Sequence, residues 1–361
     1  MKSRLASWTL AHFVVDMSCF YILYKGVETV YHANEETLWM FGAAIMVYNG
    51  IAFGLQMVFG SLADRYPRIE KAIGAVGLGF MLLPLVILWI SQSESACWIS
   101  LILCALLNAA FHVGGGMDVL KNSYGKIAPS GIFVSSGALG VIAGTLLGKT
   151  GFHTLLPIAI VAMTTVILYL DSNRNKVHPP VRHQSDFISL RYGVGLSVAF
   201  LFIAVFIRSY AGIVWPLGFD KTGWLVMLPA VASFFGKALG GIVADKMGAM
   251  ETAVISLALA IGLFVIGMGS WWVMGLAILL FNMAMPITLC GLASAMPNHL
   301  GFAFGLSTFA LLLGYLVYKA FAIAHPSAIV ITLGIIAIAL IALTIKRKTN
   351  KNSIQNVDKN S

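Results

Sequence analysis

The sequence predicts an all-α membrane protein, with twelve transmembrane helices in two pseudo-symmetric six-helix bundles. Three observations predict it. The 361 residues are 59% hydrophobic and only 10% charged, against about 45–50% and about 25% in soluble domains. The apolar residues gather in runs of about 20, which cross a bilayer as helices; membrane barrels alternate instead. A short loop motif recurs at matching places in the two halves.

Apolar windows fall at roughly 5–24, 37–59, 72–91, 96–117, 130–149, 152–170, 192–215, 222–239, 250–269, 271–290, 301–319 and 326–345, each near the length that spans about 30 Å of hydrocarbon. The first holds His12 and Asp16, which the apolar core of a cleaved signal peptide avoids, so it reads as a retained span. Residues 1–170 form an N-terminal six-helix bundle and 192–345 a C-terminal one. Between them, 171–191 ("DSNRNKVHPPVRHQSDFISLR") is a polar linker with a rigid Pro179–Pro180 step, and its His178 and His183 read as solvated loop residues. The polar tail 346–361 is expected to be disordered.

Lys and Arg orient the bundle. With the N-terminus inside, Lys25, Lys149, Lys221 and Lys319 fall outside and Arg208 falls within a span. Every other Lys and Arg, Lys237 among them, falls inside, which puts both termini and the linker in the cytoplasm. The net charge of +9 is then a topology signal and not a nucleic-acid-binding face. Short loops leave no room for a soluble catalytic domain, so no enzyme is expected. Cys19, Cys97, Cys104 and Cys290 lack metal-ligand spacing and read as small buried hydrophobes. No metal site and no cofactor are expected. "AGTLLGKT" (Ala143–Thr150) is not a phosphate loop, because it lacks the first glycine and a preceding strand.

The repeat lies after the second span of each half. "GSLADRYPR" (Gly60–Arg68) and "GIVADKMGA" (Gly241–Ala249) both read Gly-x-x-Ala-Asp-basic. Such repetition points to a transporter whose halves rock about a central site. Gly60 and Gly241 allow helix ends to approach closely. Asp64 and Asp245 can face a neighbouring helix N-terminus, and Arg65, Arg68 and Lys246 can supply charged partners at the surface.

With this loop the sequence resembles the major facilitator superfamily, whose loop after the second span reads Gly-x-x-x-Asp-Arg/Lys-x-Gly-Arg-Arg/Lys. Gly60, Asp64, Arg65 and Arg68 match in the first copy, and Gly241, Asp245, Lys246 and Gly248 in the second. Pro67 and Ile69 depart from the pattern, as do Ala249 and Met250. The resemblance implies the major facilitator fold, with spans 1, 4, 7 and 10 lining a central cavity. "AHFVVDMS" (Ala11–Ser18) and "AAFHVGGG" (Ala109–Gly116) also resemble the fosmidomycin-resistance branch, although Val113 replaces that branch's proline. That narrower resemblance implies export of small compounds driven by inward proton flow.

Ionisable residues inside spans are costly and mark candidate sites. His12 and Asp16 are i and i+4 on one face of span 1. Asp16 sits roughly 16 Å in from Leu5, near the midplane, where a carboxylate can load and lose a proton. His12 can relay that proton, or the two can hold helices together. Arg208 in span 7 needs an anion, which Asp16 or a substrate group can supply; otherwise it snorkels to the outer interface. Asn108 and His112 in span 4, Asn282 in span 10, Tyr210 in span 7 and Tyr315 in span 11 are substrate-binding candidates or helix–helix glue. The tryptophans, Trp8 and Trp215 included, read as an interfacial belt. Gly140, Gly144 and Gly148 give span 5 a smooth packing face. Gly114, Gly115 and Gly116 end "LLNAAFHVGGG" as an inner gate segment, either close-packed or flexible.

The expected function is a secondary active transporter exporting a small molecule by alternating access on a proton gradient. It is expected to work as a single chain in the plasma membrane, here the inner membrane of a prokaryote, with a small-molecule substrate and the bilayer as partners. An alternative is uptake of an organic anion or other small solute by symport or facilitated diffusion. A third is a non-transporting membrane receptor or assembly protein.

Overall fold

An apolar run in lipid has no water for its amides, so it closes them on itself as a helix. The computed structural model describes residues 2–31, 38–174, 187–215, 217–220, 222–321 and 326–347. Among them are twelve helices long and apolar enough to cross a membrane. Spans 1–6 are Ser3–Glu28, Trp39–Arg65, Ala72–Ile90, Glu94–Lys121, Ala128–Lys149 and Leu155–Ser172. Spans 7–12 are Val194–Val214, Leu228–Met247, Ala249–Ile266, Trp271–Ala295, Leu300–Ala320 and Ser327–Thr344. The Pro179–Pro180 step, His178, His183 and the tail from residue 348 lie outside the described residues.

Span 8 differs most from its sequence window. It starts at Leu228 and runs on to Met247, so Lys237 is not in a loop. It sits mid-helix, about 15 Å from the helix end at 1.5 Å per residue. The charge lowers local hydropathy and makes the run look as if it stops short.

Two spans break at a proline. Span 3 opens around Phe80–Met81, just before Pro84, and span 10 at Met283, just before Pro286. A proline cannot donate to the carbonyl four residues back, and its ring pushes that turn open. Span 1 ends in a π-helical stretch, Ile22–Glu28.

Glycines set how closely spans approach. On span 5, a Cβ at Gly140 or Gly144 would strike the span 1 backbone at Phe13 or Met17, and one at Gly148 would meet Tyr24 and Lys25. The halves meet mainly where span 2 packs on span 11 and span 5 on span 8. Spans 2 and 8 hold equivalent places in their halves, as do 5 and 11, so the two contacts are pseudo-symmetric mates. At the linker exit the Phe187 and Ile188 amides donate to Ser294 Oγ. The Lys346 amide donates to the Ser189 carbonyl, tying the ends of the C-terminal half together.

Candidate functional site

The N-terminal half builds a polar cluster from spans 1 and 4. Asp16 accepts from Asn108 Nδ2 at 2.9 Å. His12 Nε2 lies 3.3 Å from Asp16 Oδ2, and His112 Nε2 lies 3.7 Å from Oδ1. The other nitrogen of each ring is pinned: His12 Nδ1 sits 2.7 Å from the Phe133 carbonyl and His112 Nδ1 2.9 Å from the Asn108 carbonyl. A carbonyl only accepts, so each Nδ1 carries the hydrogen. Each Nε2 then turns toward a carboxylate oxygen. Phe133 stacks on His12 at 4.7 Å, and the two imidazoles meet edge to face at 4.5 Å. A Cβ at Gly137 would strike Asp16 Oδ2 and His12 Nε2, so glycine there makes room for the cluster. One donor atom from each of His12, Asp16 and His112 fits within 4.8 Å, a set that could hold a proton or a metal ion. Spacing along the sequence does not show it, because His112 comes from another span.

The C-terminal half builds a cavity of about 410 Å³ between spans 7, 8, 10 and 11. Arg208 lines it and is only 7% exposed. Its Nη2 donates to the Phe281 carbonyl at 2.9 Å, beside the turn of span 10 that Pro286 opens, and its guanidinium lies 5.2 Å from the Phe281 ring centroid. Nε has no acceptor. Asn282 lines the same cavity and donates to Ser233 Oγ and the Ile278 carbonyl. Trp215 closes one end, stacked on Phe264 at 4.8 Å.

Several expectations change here. Arg208 does not pair with Asp16, because the carboxylate is taken up by its own half. Nor does it snorkel: it turns inward to a backbone carbonyl. Asn108 and His112 do not line the C-terminal cavity, and neither do Tyr210 and Tyr315. Tyr210 is buried on span 7, and Tyr315 has Lys319 Nζ 5.7 Å from its ring. Trp215 is 5% exposed and belongs to the cavity; Trp8 is buried against Phe111. Neither belongs to an interfacial belt. Lys237 is a second intramembrane cation, within electrostatic reach of both Asp16 and Arg208.

At one end of the bundle the repeated loops cross between halves. Asp64 accepts from the amides of Gly301 and Phe302, at the N-terminus of span 11, at 2.9 and 2.8 Å. Asp245 accepts from the amides of Ile127 and Ala128, at the N-terminus of span 5, at 2.8 and 3.0 Å. A Cβ at Gly60 would strike Gly301, and one at Gly241 would strike Ala128. Each glycine therefore admits the helix end that its aspartate caps one turn on. Arg65, Arg68 and Lys246 are exposed, and among the described residues none makes an ion pair, so they do not supply the charged partners expected of them. Among the described residues, the ion pairs at this end are Arg4 with Asp118, Lys121 with Glu70 and Arg347 with Glu251.

The span 4 glycines sit in an unbroken helix, Glu94–Lys121, so close packing replaces the flexible reading. Each faces a different neighbour: Gly114 the Gly74 backbone, Gly115 the rings of Phe133 and Trp8, and Gly116 the ring of Phe304 in the other half.

Lys237, Trp215 and Phe281 are the cavity-region residues that sequence reasoning missed. Pro286, five residues after Phe281, was the available signal for the last.

No family model matches the chain, and no curated protein sequence does. Solved structures do. The human organic anion transporter MFSD10 (TETRAN) is 14% identical, with a TM-score of 0.68 over 94% of this chain and 98% of that one. The E. coli fucose:proton symporter FucP is 12% identical, with a TM-score of 0.65 over 93% and 97%. A bacterial homologue of the iron transporter ferroportin, in an outward-facing state, is 15% identical, with a TM-score of 0.61 over 95% and 96%. At these identities the likeness is one of fold: this chain has the major facilitator fold, in a multi-pass membrane protein.

Proposed function

We propose that the chain is a secondary active transporter of the major facilitator superfamily, exporting a small molecule by alternating access coupled to protons at Asp16. The observation that carries this reading is the pair of pinned imidazoles turned toward one half-buried carboxylate. Two Nε2 atoms and two carboxylate oxygens share protons at the depth where a carrier must load and release them. Asp16 is the proton carrier, with His12 and His112 as relays. The C-terminal cavity is the substrate site. The Gly60–Asp64 and Gly241–Asp245 contacts latch the end that the Lys and Arg distribution assigns to the cytoplasm. The closed latch fits an outward-facing state in a plasma membrane, in line with the branch that the first and fourth spans resemble.

Uptake of a small solute through the same fold is the second reading. A buried Arg208 without a carboxylate suits capture of an organic anion from outside as well as its release there.

The test is flux in proteoliposomes under an imposed pH gradient, wild type beside Asp16→Asn, with a pH-sensitive dye inside. Proton movement that follows substrate in the wild type and vanishes in Asp16→Asn supports the assignment. Flux indifferent to both the gradient and the substitution overturns it, and the sign of the gradient that drives accumulation separates export from uptake.

A further inference from the structure

We infer that the C-terminal cavity takes a small organic anion with a flat apolar body, held at its charged end by Arg208. This names the substrate class of the site proposed above and rests on that reading. Arginine stays charged when buried, and a buried charge needs a counter-charge. Arg208 has a neutral carbonyl for one nitrogen and, among the described residues, no carboxylate. Among the described residues, no acidic side chain lines the cavity. Trp215, on the same wall, also has an indole N–H without an acceptor. Arginine and tryptophan side chains can only donate, so what both lack is an acceptor.

The rest of the lining agrees. Ser209 donates to the Leu311 carbonyl, Thr288 to the Ala284 carbonyl, and the Asn282 amide to Ser233 Oγ and the Ile278 carbonyl, so these neutral donors are already engaged. The remaining walls are flat or apolar, with Trp215, Phe264, Phe281 and Ile278 prominent. A volume of about 410 Å³ suits a ligand of one or two rings. A cationic substrate would meet Arg208 with no carboxylate to offset it. A neutral one would leave the guanidinium unpaired.

The experiment measures binding of biphenyl-4-carboxylate and of its neutral isostere, biphenyl-4-carboxamide, to the full-length protein in detergent. The readouts are thermal stabilisation and quenching of tryptophan fluorescence. The carboxylate is expected to bind at least about tenfold tighter than the amide, the size of one charge-assisted hydrogen bond. Arg208→Gln should remove that preference, so that acid and amide bind about equally, and measurable binding of the amide shows that the cavity has survived. Trp215→Phe should remove most of the quenching. Equal binding of acid and amide by the wild type overturns the inference, as does an acid preference that survives Arg208→Gln. The transport reading fails separately: the acid can bind as expected while Asp16-dependent, pH-driven flux is absent.

Discussion

The two halves share a fold but treat polar groups in opposite ways. In the N-terminal half His12, His112 and Asn108 gather around the Asp16 carboxylate. In the C-terminal half Arg208 and Trp215 line a cavity with donors left over. A self-contained cluster can exchange protons without a ligand, whereas a site with unmet donors is incomplete until one arrives. The difference separates coupling from substrate recognition, with Lys237 placed to feel both.

The largest expected effect comes from crowding the cluster alone. Gly137→Leu drives a side chain into Asp16 and His12. It should bring pH-driven flux to background while biphenyl-4-carboxylate still stabilises the protein. If binding falls with flux, the regions are not separable and the comparison breaks.

A second effect concerns how both regions feel closure. Asp64→Ala and Asp245→Ala each remove an acceptor for two amides, hydrogen bonds to a charged group worth about 1.5–3 kcal/mol apiece. Each should shift the population toward opening at that end, read as a longer spin-label distance between spans 2 and 11 or between spans 5 and 8. An unchanged distance distribution in the double variant would remove the latch role.

The span 4 glycines sharpen the same point. Gly116→Leu meets Phe304 in the other half and should open the junction; Gly115→Leu meets Trp8 and Phe133 in its own half and should lower thermal stability. Overpacking costs about 1–3 kcal/mol in either case, but it should appear in different measurements. Transport that tolerates both substitutions would end the gate reading.

The smallest effect is expected from Arg65→Ala, Arg68→Ala and Lys246→Ala. Exposed side chains without ion pairs should change stability by no more than about 0.5 kcal/mol and leave the spin-label distances alone. A shift comparable to that of Asp64→Ala would restore the charged latch partners.

Much of the fold was legible because the bilayer imposes length and apolarity on every span. All twelve runs became helices, and the largest boundary error fell where a lysine interrupts span 8. The site was legible in part. His12 and Asp16 share a helix face, so their meeting follows from the i,i+4 spacing. That His112 and Asn108 join them, and that Arg208 turns to Phe281, depends on packing between spans, which periodicity does not encode. Trp215 was misread for a related reason. A tryptophan at a span end has the same sequence signature whether it faces headgroups or a cavity.

The aspartate contacts between the halves have a consequence for the substitutions their partners can accept. Asp64 and Asp245 grip main-chain amides, and the residues they grip, Gly301–Phe302 and Ile127–Ala128, have no side chain in common. A contact read through the backbone asks nothing of its partner's side chain, so it constrains the capped helix end only where space is short, as at Gly301, where a Cβ would strike Met117 and Gly60.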